Sequence, residues 1–212
     1  MVLKIDRFLR LLGRILIIGL IATEFLNRFG FLHFPLTFTW DGLIVTSIIV
    51  WLLLETTSLL LKKSCGLMLS GWIFPLAATV LYIDALGDIL RLYSQFGWYD
   101  QVAHILGGMS VGATLFSVIH SYVHCGKIRL GRWGQGIFAL FGAAFFGVLY
   151  ELEEYFEDYF NHVHLRLGDG PDTANDLLLD VVGAGIIILL IILVIYNHKH
   201  RQEQPAQNNV HN

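Results

Sequence analysis

Asp172-Thr-Ala-Asn-Asp176-Leu-Leu-Leu-Asp180-Val-Val-Gly183-Ala-Gly185-Ile-Ile-Ile-Leu-Leu-Ile-Ile-Leu-Val-Ile-Tyr196 is the stretch that decides the fold class. Between Leu177 and Tyr196 the only charge is Asp180. A run of about 20 apolar residues crosses hydrocarbon as a helix, because lipid offers the backbone no hydrogen-bond partner and a helix satisfies itself. The aspartates at its entrance recur every fourth residue, so Asp172, Asp176 and Asp180 share one helical face. Charge placed so regularly at a membrane boundary is where chemistry is sought.

Five more stretches of the same kind lie upstream, roughly Leu11–Leu26, Trp40–Leu61, Cys65–Leu86, Val102–Val123 and Trp133–Phe156. With 55% hydrophobic residues and only 15% charged, the apolar residues run on unbroken instead of recurring at amphipathic spacing. The expectation is an all-α polytopic membrane protein with six transmembrane helices. It forms a single domain over residues 1–200, followed by a disordered tail over 201–212.

The charges sort by helix end. Fourteen of the seventeen carboxylates fall at one end of the spans and eleven of the fourteen Lys and Arg at the other. Short loops rich in Lys and Arg stay in the cytoplasm, so both termini are expected to be cytoplasmic; an odd span count would break this assignment. Only Arg28, Arg91 and Arg166 accompany the acids. The bases form no stripe, so nucleic acid is not an expected partner. The expected partner is the lipid bilayer. Lys4, Arg7, Arg10 and Arg14 precede the first span as a signal-peptide n-region would, but no small-x-small cleavage site follows, so it reads as a retained anchor. Cys65 and Cys125 fall at cytoplasmic ends and are expected to be free thiols. His198 and His200 beside Lys199 read as a solvated charge cluster.

Tight cytoplasmic turns are expected at Lys62–Ser64 and Gly126–Arg132. Longer outer connections are expected at Asn27–Thr39, Gly87–Tyr99 and Glu157–Asn175, where function more often resides. Aromatic residues over Phe31–Phe38 and Tyr93–Tyr99 suit an interfacial belt. Asp100-Gln-Val-Ala-His104-Ile-Leu-Gly107 echoes Asp176-Leu-Leu-Leu-Asp180-Val-Val-Gly183. Both are followed by small residues that let membrane helices approach closely, so the fourth and sixth spans are expected to pack together.

Asp100 and His104, four apart, share a face of the fourth span, as Glu151 and Glu154, three apart, do on the fifth. A carboxylate facing lipid at mid-membrane costs about 2.5–3.5 kcal/mol, so such groups turn toward protein or water. Three bases cannot neutralise fourteen acids; protons, solvent or a bound cation must supply the rest. Carboxylates with a histidine suit a divalent ion such as Mg²⁺, Mn²⁺, Ca²⁺ or Zn²⁺. The expected metal residues are Asp100, His104, Asp172 and Asp176. The expected catalytic residues are Glu151 or Glu154 as general base, with His104 as ligand or proton donor.

Other charged groups have plainer readings. Asp84, Asp88 and Arg91 read as a self-contained ion-pair face, and Glu55 as a partner of Lys62 or Lys63. Glu24 and Asp41 read as markers of helix ends. Glu153, Glu157 and Asp158 read as loop or interfacial charges, Asp169 as a helix cap before Pro171, and His162-x-His164 as solvated. No G-x-S-x-G, H-E-x-x-H or P-loop is present.

Tyr99-Asp100-Gln-Val-Ala-His104, Tyr150-Glu151-Leu152-Glu153-Glu154 and Gly168-Asp169-Gly-Pro-Asp172-Thr173-Ala-Asn-Asp176 together resemble the motifs of the YjdF-like family of bacterial integral membrane proteins of unknown function. The resemblance covers roughly Trp98 to Gly185 and implies a multi-pass protein of the bacterial plasma (inner) membrane. A looser similarity runs to VanZ-like membrane proteins, from which this chain departs at Gln101, Glu154 and Asp180. Neither resemblance implies a reaction. The expected function is metal-assisted hydrolysis or transfer on a lipid-linked or envelope head group. The alternatives are a cation or proton transporter and a non-catalytic membrane scaffold.

Overall fold

The computed structural model describes residues 2–36, 40–162 and 166–208, with side chains described within 4–194. All regular structure among them is helical: α1 Val2–Arg28, α2 Trp40–Cys65, α3 Ile73–Ile89, α4 Leu92–Gln95, α5 Tyr99–His124, α6 Arg132–Asn161 and α7 Gly170–Asn208. Four helices, α2, α5, α6 and α7 over Gly170–Val194, are long and apolar enough to cross a membrane. Of the other two expected spans, α1 carries Arg14, Glu24 and Arg28 along its apolar length. The 17-residue α3 falls at the short limit for a crossing.

Two apolar clusters hold the helices together. In the first, Ile17 and Leu20 of α1 pack with Leu43, Leu54 and Leu61 of α2 and with Phe74, Ala77, Ala78 and Leu81 of α3. In the second, Phe116 of α5 meets Ala139 and Ala143 of α6 and Ala184, Ile188 and Ile192 of α7. The small residues matter because lipid tails are as apolar as leucine, so close van der Waals approach replaces the hydrophobic drive.

The most extensive helix–helix interface joins α5 to α7, as the paired glycine patterns predict. A β-carbon on Gly108 would collide with the backbone of Asp180, and one on Gly183 with the backbone of Ile105. At Gly112 it would lie 2.9 Å from the Ala184 Cα. Residue numbers rise together along this contact, so α5 and α7 run parallel and bring their acidic N-terminal turns to the same end. Antiparallel α6 lays its Glu151–Asp158 segment beside them.

Several expectations need correction. The turn after the second span is not at Lys62–Ser64, which is helical, but over Gly66–Trp72, and the third helix begins at Ile73 instead of residue 65. Gly66, at φ +66°, ends α2 in the left-handed region glycine favours, and Pro75 suits the first turn of α3. Cys65 and Cys125 form a disulfide, with Cα atoms 5.6 Å apart. Sixty residues separate them in the chain, and only the meeting of the ends of α2 and α5 makes them neighbours.

Glu55 pairs with Arg14 of α1 (Nη2 to Oε2, 2.7 Å) and not with a lysine on its own helix. Arg91 is exposed and makes no ion pair with Asp84 or Asp88 among the described residues; Asp84 instead accepts a hydrogen bond from the Tyr93 hydroxyl at 2.8 Å. Glu24 is buried within the bundle, where Ser47 donates to it at 3.1 Å. Asp41, in the first turn of α2, meets Arg28 across the connection at 2.9 Å. The helix α7 continues to Asn208, past the 201 boundary of the expected tail. The expected belt positions 37 and 38 and the tail positions 209–212 lie outside the described residues, and the side chains of His198 and His200 lie outside the described ones.

Candidate metal centre

α5 begins at Tyr99, so Asp100 stands in its first turn, where the helix dipole favours negative charge, and His104 follows one turn deeper. α7 begins after Asp169, whose side chain accepts the backbone N–H of Asp172 at 3.0 Å, the cap expected before Pro171. That cap fixes the start of the helical stripe carrying Asp172, Asp176 and Asp180.

Because α5 and α7 touch backbone to backbone, the two stripes face each other. His104 Nε2 lies 3.7 Å from Asp100 Oδ1 and 4.0 Å from Asp176 Oδ1, and His104 Nδ1 lies 3.5 Å from Asp180 Oδ1. One donor atom each from Asp100, His104 and Asp176 fall within 4.8 Å of one another. Around a tetrahedral ion with bonds of 2.0–2.2 Å, donors sit roughly 3.3–3.6 Å apart, so the set would close on an ion by a contraction of up to about 1.5 Å. His104, Asp176 and Asp180 are buried, while Asp100 is 37% exposed and forms the mouth.

Two further observations fit a cation. Asp176 Oδ1 is buried without a hydrogen-bond donor among the described residues, and so are both carboxylate oxygens of Glu151, which is 4% exposed. Glu151 lies within electrostatic reach of His104, Asp180 and Asp100. One imidazole therefore faces three carboxylates with a fourth nearby, and leaving such charge buried and uncompensated is expensive. A divalent ion bound by Asp100, His104 and Asp176 would balance it.

Of the predicted metal residues, three converge. Asp172 does not join their group; it is exposed at the entrance to α7. Of the predicted bases, Glu151 stands beside the cluster, but Glu154 is engaged elsewhere. Arg166 Nη2 donates to Glu154 Oε1 at 3.2 Å and to the Tyr150 hydroxyl at 2.9 Å, and Nη1 donates to Glu157 Oε2 at 3.0 Å. Burial alone would lower the pKa of Arg166, yet Tyr150, Asp84, Glu154 and Glu153 around it hold it well above its ordinary value.

Asp158 accepts the backbone N–H groups of Arg166 and Leu167 at 3.1–3.2 Å. Glu157 and Asp158, read as loop or interfacial charges, thus stand on the last turns of α6 and tie down the α6–α7 connection. His162 caps α6 in an exposed position, and His164 lies outside the described residues. Tyr150, whose ring stands edge-on to His104 at 5.9 Å between centroids, was not expected at the site. Asp180, expected on the acidic stripe but not among the metal or catalytic residues, completes it through His104 Nδ1.

The sequence profile of a family described as predicted membrane protein (DUF2238) matches residues 12–199. The chain belongs to that family. The match bears out the YjdF-like resemblance and extends it from the C-terminal half over nearly the whole chain; the looser VanZ-like pattern finds no support in it. No curated protein and no solved structure matches the chain. Family membership establishes a membrane protein and assigns no role to any residue.

Proposed function

We propose that this family member is a six-span protein of the bacterial inner membrane, with both termini cytoplasmic. In this reading its centre at the extracytoplasmic ends of α5, α6 and α7 binds a divalent cation for hydrolysis or transfer on a lipid-linked or envelope head group. The observation that carries the proposal is the convergence of Asp100, His104 and Asp176 from two parallel helices, with Asp176 Oδ1 buried and given no hydrogen-bond donor among the described residues. Those three residues would hold the ion, which when bound supplies Lewis acidity and an activated water. Imidazole with carboxylates suits Zn²⁺ or Mn²⁺ better than Ca²⁺.

Glu151 is the base: both its oxygens are free to accept a proton from water or a substrate hydroxyl, whereas Glu154 is spent on Arg166. The half-exposed Asp100, at a helix end bordered by the exposed Trp98, suits a head group arriving from the membrane face.

Elemental analysis of the purified protein is expected to find one equivalent of a divalent metal in the wild type and none in Asp176→Ala. A wild type purified and reconstituted under metal-replete conditions yet still metal-free would sink the reading. Orientation has its own test, because the Cys65–Cys125 bond lies at the basic end, which the positive-inside rule places in the reducing cytoplasm. Loop bases govern insertion during synthesis, before the ends of α2 and α5 meet, so the base asymmetry takes precedence. A topology reporter at Gly168 is expected to read extracytoplasmic and one at Gly131 cytoplasmic; the reverse pattern would overturn the placement.

A further inference from the structure

The two ring nitrogens of His104 face different carboxylates, and that division carries an inference resting on the metal reading above. We propose that Asp180 is the positioning residue of the centre. It accepts the Nδ1–H of His104, fixing the ring tautomer that leaves Nε2 with a lone pair for the metal.

Nε2 faces Asp100 Oδ1 at 3.7 Å and Asp176 Oδ1 at 4.0 Å, while Nδ1 faces Asp180 Oδ1 at 3.5 Å, the shortest of the three and a few tenths of an ångström beyond an ordinary hydrogen bond. A neutral imidazole has one N–H and one lone pair, and only the lone pair can bind a metal. Two carboxylates converging on Nε2 suit a shared cation there, and the single carboxylate at Nδ1 suits a proton. A metal-bound histidine that donates its other N–H to a carboxylate is held in orientation and made more basic. The remaining neighbours do not compete for Nδ1: Tyr150 packs its ring crosswise to the imidazole with its hydroxyl engaged by Arg166, and Glu151 acts from α6 without a hydrogen bond to the ring.

The helices make room for this carboxylate. A β-carbon on Gly147 of α6 would stand 2.6 Å from Asp180 Oδ2, and one on Gly108 of α5 would strike the Asp180 backbone. Two glycines on separate helices thus clear the space that Asp180 fills. One turn along the same face of α7, Asp176 supplies a carboxylate ligand beside the His104 that Asp180 orients.

The test uses the full chain in detergent, with Zn²⁺ as the probe in chelator competition, on wild type, Asp180→Ala and Asp180→Asn. Asp180→Ala is expected to weaken Zn²⁺ binding about 10–100-fold at unchanged one-to-one stoichiometry. Asp180→Asn should recover most of the loss, because its amide oxygen still accepts the Nδ1–H. In ¹⁵N-histidine NMR, the His104 signals, identified by their loss in His104→Gln, should show Nδ1 protonated and Nε2 bound to Zn²⁺.

Equal affinity in wild type and Asp180→Ala, or Zn²⁺ on Nδ1, would overturn the role of Asp180 while leaving the metal centre standing. A wild type that binds no Zn²⁺ would overturn both, and the first titration would reveal it. Should Asp180→Ala fail to fold, the wild-type NMR signature and Asp180→Asn decide alone: lower affinity in Asp180→Asn than about one-tenth of wild type would count against the hydrogen-bond role.

Discussion

Arg166→Ala is expected to destabilise the protein by about 3–5 kcal/mol, measured as the unfolding free energy in mixed micelles titrated with a denaturing detergent. The guanidinium is 5% exposed, and its carboxylate partners Glu154 and Glu157 are 10% and 7% exposed, so solvent screens little of the interaction. Removing the cation strips it from two buried carboxylates at once and takes the hydrogen bond from the Tyr150 hydroxyl. Arg166→Lys should fall between, since a single ammonium cannot match a planar fork that reaches three acceptors. A loss below about 1 kcal/mol in Arg166→Ala would mean that the cluster behaves like an exposed ion pair. The same arginine stands over the Tyr150 ring at 5.8 Å, and Tyr150 abuts His104, so the latch that closes the α6–α7 connection also braces one wall of the candidate metal centre.

Adjacent glycines give the second expected result. Gly107→Ala should be tolerated, or should stabilise α5 by up to about 1 kcal/mol through helix propensity, because a β-carbon there meets only Asp180 Oδ1 at 3.9 Å. Gly108→Ala should cost about 3 kcal/mol, because the same methyl group would collide with the Asp180 backbone, which cannot rotate aside as a side chain can. Relief requires α5 and α7 to separate, and separation draws Asp100 and His104 away from Asp176 and Asp180. Gly108→Ala should therefore lose stability and divalent-metal binding together, while Gly107→Ala keeps both. Unfolding and metal titration of the two variants side by side check this; equal behaviour would refute the close α5–α7 contact.

The parts of the site legible in the sequence were those that repeat along one helix. The spacing of Asp100 and His104, of Glu151 and Glu154, and of the three aspartates entering α7 follows from helical geometry alone. The glycines after Asp100 and Asp176 also announced the α5–α7 contact, since small residues are what membrane helices need to approach. Pairings across helices left no comparable trace. Glu55 looked nearest to Lys62 and Lys63, yet it pairs with Arg14, which lies 41 residues away. Cys65 and Cys125 likewise meet only through the ends of α2 and α5.

The sequence by itself determined an all-helical membrane chain, the end at which its acids gather, and the helix faces that carry them. Apolar run length and helical period are local properties, and lipid permits few other backbone arrangements. Tertiary structure alone decided which carboxylates share a centre. Asp172 sits one turn too far toward the entrance of α7, Asp180 reaches His104 through space cleared by Gly108 and Gly147, and Glu154 is taken by Arg166 while Glu151 is left unpartnered. These outcomes depend on the separation and rotation of neighbouring helices, to within a fraction of a turn, and no single helix's sequence encodes them.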